Sequence, residues 1–435
     1  MWEKLLEVLK TAVLTNYSSF SESEATFILC RNMHNPVNHS YLPRRRHIHQ
    51  RGEWTVRRIL SIGLILVLLG LPAAQAEPLR DGELRIAAPS AVLMEKQTGE
   101  LLYEKGAHER RPPASVTKVM TLLLIVEDIE SGRIRLEDTV TASARAASFG
   151  GSCVYLEEGE QMSVDEMLKC IAVVSANDCA VAMAEHLCGS EEVFVERMNR
   201  RAEELGMAES HFTNCTGLFE DADHYTTAYD IALMSRELVR HELAKRYTTI
   251  WMDTIRGGAF GLSNTNKLVY WYPGCTGLKT GYTSEAMYCL AATAERDGVE
   301  YIAVIMHGDS IESRNADAKA LLNYAFANYT LAALPEDGEL PAVAVNYGKD
   351  SAVPLSLGEA CRYLLIAKGG GDCIFSYELP SSLDAPVRAG EALGTLIVSR
   401  GEEELERRTL TAARDVELIG FWGILGRLAG SLVGL

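Results

Sequence analysis

The chain has 435 residues, 47% hydrophobic and 23% charged, with a formal net charge of −17. That length is too great for one ordinary domain, and the composition is that of a globular protein with a full core. The acidity excludes a nucleic-acid binder, which would present a basic face.

Residues 1–50 contain "PRRRHIHQR" and no clear periodic pattern. Arg57 and Arg58 then precede the apolar run "ILSIGLILVLLGL" (59–71), followed by "PAAQA" and Glu77. A basic flank, an apolar segment of this length and an Ala74-Gln75-Ala76 cleavage signature predict a secretory signal peptide across the 1–76 leader. The run is short for a bilayer span, which needs ~20 apolar residues. Such signals normally begin near the N-terminus, so a later translation start is expected, at Met33 or near Val56. An exported, acidic enzyme follows. Ten cysteines are present, and with Cys30 in the leader an odd number remains. Cys170, Cys179 and Cys188 recur every nine residues, which matches no zinc spacing and reads as buried small apolar residues. Cys361 and Cys373 could pair across a hairpin.

A unit over 77–335 comes next. "AVLMEKQTGELLYEKG" predicts two short strands around Gln97-Thr98-Gly99. Residues 115–130 are apolar nearly all round and stop near Gly132, which predicts a helix buried in the domain centre. The span 163–206 predicts further helices. "YCLAATAERDGVEYIAVIMHG" (288–308) is two apolar strands joined by Asp297-Gly298, a strong hairpin signal. "NADAKALLNYAF" (315–326) returns to helix. Helices packed on an antiparallel sheet make the fold class α+β. From 338 to 413, short runs divided by Gly, Pro and Asp predict a small all-β domain without a catalytic cluster. Over 414–435, Gly423, Gly426, Arg427, Gly430, Ser431 and Gly434 fall on one side of a helical wheel. Phe421, Trp422, Leu425, Leu428 and Leu432 fall opposite, predicting an amphipathic helix in a membrane interface.

Ser115 and Lys118 open the greasy helix three residues apart, on one face. A serine hydroxyl needs a partner to take its proton, and a desolvated lysine beside other cations can be that neutral base. The helix N-terminus adds positive potential where an oxyanion would form. S-x-x-K alone is weak, since a chain this long holds roughly one or two by chance. "VVSANDCA" adds Ser175-Ala176-Asn177, and "TGLKTGYT" adds Lys279-Thr280-Gly281, about 60 and then about 100 residues further on. Three such motifs in this order occur in class A β-lactamases and penicillin-binding proteins. His186, His211, His224 and His241 show no metal-ligand spacing, and no metal or cofactor is expected. Tyr270 and Trp271 read as packing.

"ASFGGSCVYLEEGE", "SANDCAVAMAEHLCGS", "FVERMNRRAEELGM", "HFTNCTGL" and "YPGCTGLKTGYT" extend the match over roughly residues 80–330. The chain resembles the D-alanyl-D-alanine carboxypeptidases among the low-molecular-weight penicillin-binding proteins, of the β-lactamase-like superfamily. The β domain and tail follow that layout too. The resemblance implies a serine-type carboxypeptidase that removes the terminal D-alanine from peptidoglycan stem peptides through an acyl-enzyme and is acylated by β-lactam antibiotics. It implies Ser115 as nucleophile, Lys118 as general base, and Ser175 as proton relay to the leaving D-alanine. Asn177 would bind the substrate backbone, Lys279 hold the electrostatics and Thr280 contact the terminal carboxylate, with Gly281 and Tyr282 also among the substrate-binding residues. Backbone N–H groups of Ser115 and Tyr282 would form the oxyanion hole, and Arg314 would recognise the anionic end. Location at the outer face of the cytoplasmic membrane follows. Thr276 departs from the Asp common before this Gly, and Ala286-Met287 from the usual Ala-Gly, where Met287 is expected to crowd the strand. The alternatives are a β-lactamase, for which no E-x-x-L-N segment lies between Asn177 and Lys279, and a non-catalytic penicillin-binding scaffold.

Overall fold

The computed structural model describes residues 84–218, 221–358, 362–369 and 371–425. The predicted signal peptide, Cys361 and the tail beyond Leu425 lie outside them. Strand β1 (Ser90–Glu95) and β2 (Leu101–Lys105) form the first hairpin, where the Glu95 carboxylate accepts hydrogen bonds from Gln97 N, Thr98 N and Thr98 Oγ1. The helices α1 (Lys118–Glu130), α2 (Asn177–Cys188) and α3 (Ala228–Leu238) follow. Three long strands, β3 (Cys275–Thr283), β4 (Met287–Arg296) and β5 (Val299–Gly308), precede α4 (Ile311–Asn328). The five strands make one antiparallel sheet in the order β2-β1-β5-β4-β3, which leaves β3 at an edge.

Alternation along the strands explains why this sheet reads as near-continuous apolar runs. Val92, Met94, Ile302, Val304 and Met306 face one core, while Ala91, Leu93, Ala303 and Ile305 face the other. Side chains alternate with period 2, so a sheet covered on both faces leaves no polar register. Asp297 and Gly298 both take positive φ (52° and 77°), the requirement of a type I′ turn, and pair Arg296 with Val299.

Helix α1 is buried on nearly every side, from Lys118 through Val126. Each of its leucines contributes roughly 1.5–3 kcal/mol by leaving water. Asp128 near its end is buried but accepts from Arg197 Nη1 at 2.5 Å and Nη2 at 2.6 Å. Cys170 and Cys179 are buried free thiols, in line with their apolar setting in the sequence, whereas Cys188 is half-buried.

The C-terminal domain adds β6 (Tyr329–Ala333), β7 (Ala342–Asn346), β8 (Ala352–Ser356), β9 (Tyr363–Ala367), β10 (Ile374–Glu378), β11 (Leu383–Asp384), β12 (Ala392–Arg400) and β13 (Glu403–Ala412). Six strands order β10-β12-β13-β8-β7-β11, and β6 pairs with β9. Their apolar faces enclose a separate core including Val353, Leu355, Leu396, Val398 and Leu410. Val416 is buried in that core and bridges Val387, and Ile419 N donates to Tyr347 O. The chain therefore stays fastened to the β domain up to Ile419. Residues 421–425 are helical, with Phe421 and Trp422 exposed. Among the described residues no helix is long and apolar enough to cross a membrane.

Candidate active site

Ser115 sits in a 3₁₀ turn, Ala114–Thr117, that runs directly into α1. Ala114 holds φ 47°, a left-handed conformation costly for a residue with a Cβ. Two glycines crowd the turn. A Cβ on Gly217 would lie 1.9 Å from Ala114 O, and one on Gly281 would lie 2.7 Å from Pro113 O and 3.1 Å from Ser115 N. Glycine is thus required at both places by close backbone approach. The Gly of K-T-G lets the edge strand β3 lie against the backbone of Ser115.

Lys118 is fully buried, and its Nζ donates to Ser115 Oγ at 3.1 Å, Asn177 Oδ1 at 2.6 Å and Thr216 O at 2.8 Å. Burial lowers its pKa to about 7, against smaller opposing effects of Cys215, Cys153 and Asp178. A substantial neutral fraction therefore exists at neutral pH, as a base requires. The sequence points to neighbouring cations as a further cause of such a shift. Desolvation, the first cause the sequence suggests, accounts for the shift, and charge repulsion registers at the other lysine. Lys279, also buried, is pushed well down by desolvation first, then by Lys118 and Arg314.

Ser175 follows a π-helical turn, Cys170–Val174, and is itself left-handed at φ 65°, ψ 32°. Its Oγ is buried without a hydrogen-bond partner among the described residues. Leaving a buried hydroxyl unpaired costs roughly 1–3 kcal/mol, and strain with an orphaned polar atom is the pattern of a functional position. Asn177 opens α2, with Nδ2 donating to Gly150 O at 2.8 Å while Oδ1 serves Lys118. Next to it, Asp178 accepts from Val154 N at 3.0 Å and Leu156 N at 3.1 Å, pinning the facing segment.

On β3, Lys279 Nζ donates to Thr280 O at 2.9 Å, and Thr280 Oγ1 to Thr265 Oγ1 at 2.8 Å. Tyr282 is exposed and packs on Tyr288 with ring centroids 4.5 Å apart. Arg314 is buried, donating to Cys289 O at 3.2 Å and Asn315 Oδ1 at 3.3 Å, and burial lowers its pKa to about 10. It remains a cation whose field reaches Lys279.

Both departures from the usual pattern have a local account. Thr276 Oγ1 donates to Glu300 Oε1 at 2.6 Å and lies 2.7 Å from Thr293 Oγ1, so the position keeps a polar partner. Met287 has φ 54°, the left-handed backbone that a glycine would take without strain. The substitution therefore carries a conformational cost at this position. Tyr270 and Trp271 pack edge-to-face at 4.7 Å yet remain 59% and 69% exposed, so packing is only half of their description.

Two contributors lie outside the three motifs. Thr216 acts through its carbonyl, held by an Asx turn in which Asn214 Oδ1 accepts from Thr216 N at 3.1 Å and Gly217 N at 2.6 Å. The run Asn214-Cys215-Thr216-Gly217 is a turn signal that could have located it. His224, which lacks metal-ligand spacing, is buried and lies 2.8 Å from Thr117 Oγ1.

Residues 74–310 match the D-alanyl-D-alanine carboxypeptidase family, and residues 330–418 match the C-terminal domain of penicillin-binding protein 5. The chain belongs to the D-alanyl-D-alanine carboxypeptidase family. It is 41% identical over 385 residues to the D-alanyl-D-alanine carboxypeptidase DacF of Bacillus subtilis (strain 168), covering 86% of this chain and 98% of that protein. It is 30% identical over 384 residues to DacA of Escherichia coli (strain K12), covering 85% and 94%. Penicillin-binding protein 5 of Haemophilus influenzae superposes with a TM-score of 0.70 at 29% identity, over 77% of this chain and 98% of that one. Ampicillin-bound penicillin-binding protein D2 of Listeria monocytogenes superposes at 0.52 and 30% identity, over 56% and 99%. This carboxypeptidase is a serine-type hydrolase, and the β-lactamase and scaffold alternatives are not favoured.

Proposed function

We propose that Ser115 is the acylated nucleophile, Lys118 its general base and Ser175 the proton relay, with peptidoglycan stem peptides ending in D-Ala-D-Ala as substrate. The observation that carries this reading is the 3.1 Å contact between Ser115 Oγ and a buried lysine whose pKa is lowered to about 7. Neutral Lys118 takes the hydroxyl proton as Ser115 Oγ attacks the penultimate carbonyl. The C–N bond breaks as Ser175 hands its proton to the departing amine of D-alanine and takes up the proton held by Lys118, which leaves Lys118 neutral and an ester on Ser115. Water then attacks that ester, and Ser115 recovers its proton. Asn177 and Thr280 hold the peptide backbone and terminal carboxylate, Lys279 and Arg314 supply positive potential toward that end, and the Ser115 and Tyr282 amides receive the oxyanion. A β-lactam enters by the same attack. Labelled penicillin followed by mass mapping tests the assignment: an adduct on Ser115 supports it, and an adduct on any other serine overturns it.

Export through the leader and attachment by the tail complete the proposal, placing the enzyme at the outer face of the cytoplasmic membrane. Phe421 and Trp422 are 70% and 79% exposed, which suits an interfacial helix. Because Val416 belongs to the β-domain core, a truncation that tests the anchor must begin at Phe421. Protein lacking residues 421–435 is expected in the soluble fraction with unchanged turnover of a soluble peptide. Continued pelleting with membranes would place the anchor elsewhere, most simply in an uncleaved 59–71 segment.

A further inference from the structure

The turn that carries Ser115 is strained at Ala114, and something must hold it. Thr117 Oγ1 donates to Ala114 O at 2.8 Å and lies 2.8 Å from His224 Nε2. On the other side of the imidazole, Thr213 N donates to Nδ1 at 3.0 Å, while Thr213 Oγ1 and Asn214 Nδ2 both stand 3.4 Å away. A backbone N–H can only donate, so Nδ1 is the acceptor and the proton of the neutral ring sits on Nε2. The direction of the whole chain is thereby fixed. Thr213 N–H donates to His224 Nδ1, His224 Nε2–H donates to Thr117 Oγ1, and Thr117 Oγ1–H donates to Ala114 O. A hydroxyl that accepts one bond while donating another is a stronger donor, because aligned bonds polarise one another.

We infer that His224 is a positioning residue of the carboxypeptidase, acting through Thr117 to hold the Ala114–Thr117 turn in the geometry that presents Ser115 to Lys118. The inference rests on Ser115 being the nucleophile. The two ends of the chain serve one purpose. Thr213 and Asn214 belong to the loop whose Thr216 O accepts from Lys118, so His224 ties the base's loop to the nucleophile's turn. The ring is otherwise enclosed by the Phe212 ring at 5.7 Å, and the charged or titratable groups acting on it are Asp221 and His211. Burial lowers its pKa to about 4, so the neutral tautomer persists over the working range of Lys118.

The test compares His224→Ala, His224→Gln, Thr117→Val and the His224→Ala/Thr117→Val double variant. The measurements are the second-order rate of penicillin acylation, and kcat and KM on a soluble D-Ala-D-Ala peptide, taken below each variant's unfolding midpoint. His224→Ala is expected to lower acylation and kcat about 10-fold with KM little changed, on the scale of about 1.4 kcal/mol of lost transition-state geometry. His224→Gln should recover most of the loss, since an amide N–H can still donate to Thr117 and carries no titrating proton. Thr117→Val should match His224→Ala, and the double variant should lose little more than either alone, because both remove one chain of bonds. Parent-like acylation by His224→Ala overturns the inference. So does strict additivity in the double variant, or a Gln variant as slow as Ala, either of which would reduce His224 to general packing. Loss of all labelling at Ser115 in the parent would instead fail the nucleophile assignment itself.

Discussion

Replacing Ser115 with alanine is expected to end D-alanine release and covalent penicillin labelling together, while the unfolding midpoint stays close to the parent's. The substitution removes one oxygen from a half-buried side chain and leaves no cavity beyond it. Its hydroxyl receives one bond, from Lys118 Nζ, and the ammonium keeps Asn177 Oδ1 and Thr216 O as acceptors. The fold has little to lose. Chemistry loses the atom that forms the ester, so the fall in kcat should be at least about 10⁴-fold, the scale expected when a serine nucleophile is removed. Intact-mass spectrometry after incubation with penicillin is the deciding measurement. Residual adduct, mapped to Ser175 or another serine, would sink the assignment of Ser115.

Lys118→Arg is expected to lose penicillin acylation nearly as completely as Lys118→Ala, by ~10²-fold or more. Arginine keeps the charge but effectively never gives up its proton. The parent lysine has a pKa of about 7 because burial disfavours its charged form. The sign then follows: acylation by the parent rises with pH through about 7 as Lys118 becomes neutral, and levels off above. In Lys118→Arg that rise should vanish. Lys279→Arg should be milder, because that position is asked for a hydrogen bond to Thr280 O and not for a proton transfer. Second-order acylation rates across pH decide the matter. Near-parental acylation by Lys118→Arg would make Lys118 an electrostatic partner and send the search for a base to Ser175 or a bound water.

Much of this site is readable in the sequence because its chemistry is carried by side chains at short, regular spacing. Ser115 and Lys118 are three residues apart where a 3₁₀ turn runs into α1, and Ser175 and Asn177 flank one helix start. The α+β sheet is equally open to reading, since Asp297-Gly298 can scarcely be anything but a tight hairpin turn. What stays hidden is carried by backbone and burial. The third acceptor of Lys118 is the carbonyl of Thr216, an atom every residue possesses, 98 positions away. The depressed pKa of Lys118 and its main cause, desolvation, can be anticipated, but the groups that close over the amine cannot. Met287 is visible as a side-chain substitution, while its positive φ is not. His224 offers no spacing to recognise, because one of its partners is a backbone amide nearby and the other a hydroxyl 107 positions away on α1's threshold.

The three acceptors around Lys118 Nζ also set the direction of its unshared electrons. An ammonium has three hydrogens, and Ser115 Oγ, Asn177 Oδ1 and Thr216 O engage all three. A neutral amine has two hydrogens and one lone pair. The Asn177 amide oxygen and the Thr216 carbonyl can only accept, so each keeps its hydrogen. The serine hydroxyl is the one neighbour able to reverse its role and donate. Deprotonation of Lys118 therefore leaves the lone pair no orientation except toward the hydroxyl proton of Ser115. The tetrahedron is aimed before substrate arrives, and no rotation about the terminal C–N bond stands between charge loss and proton transfer.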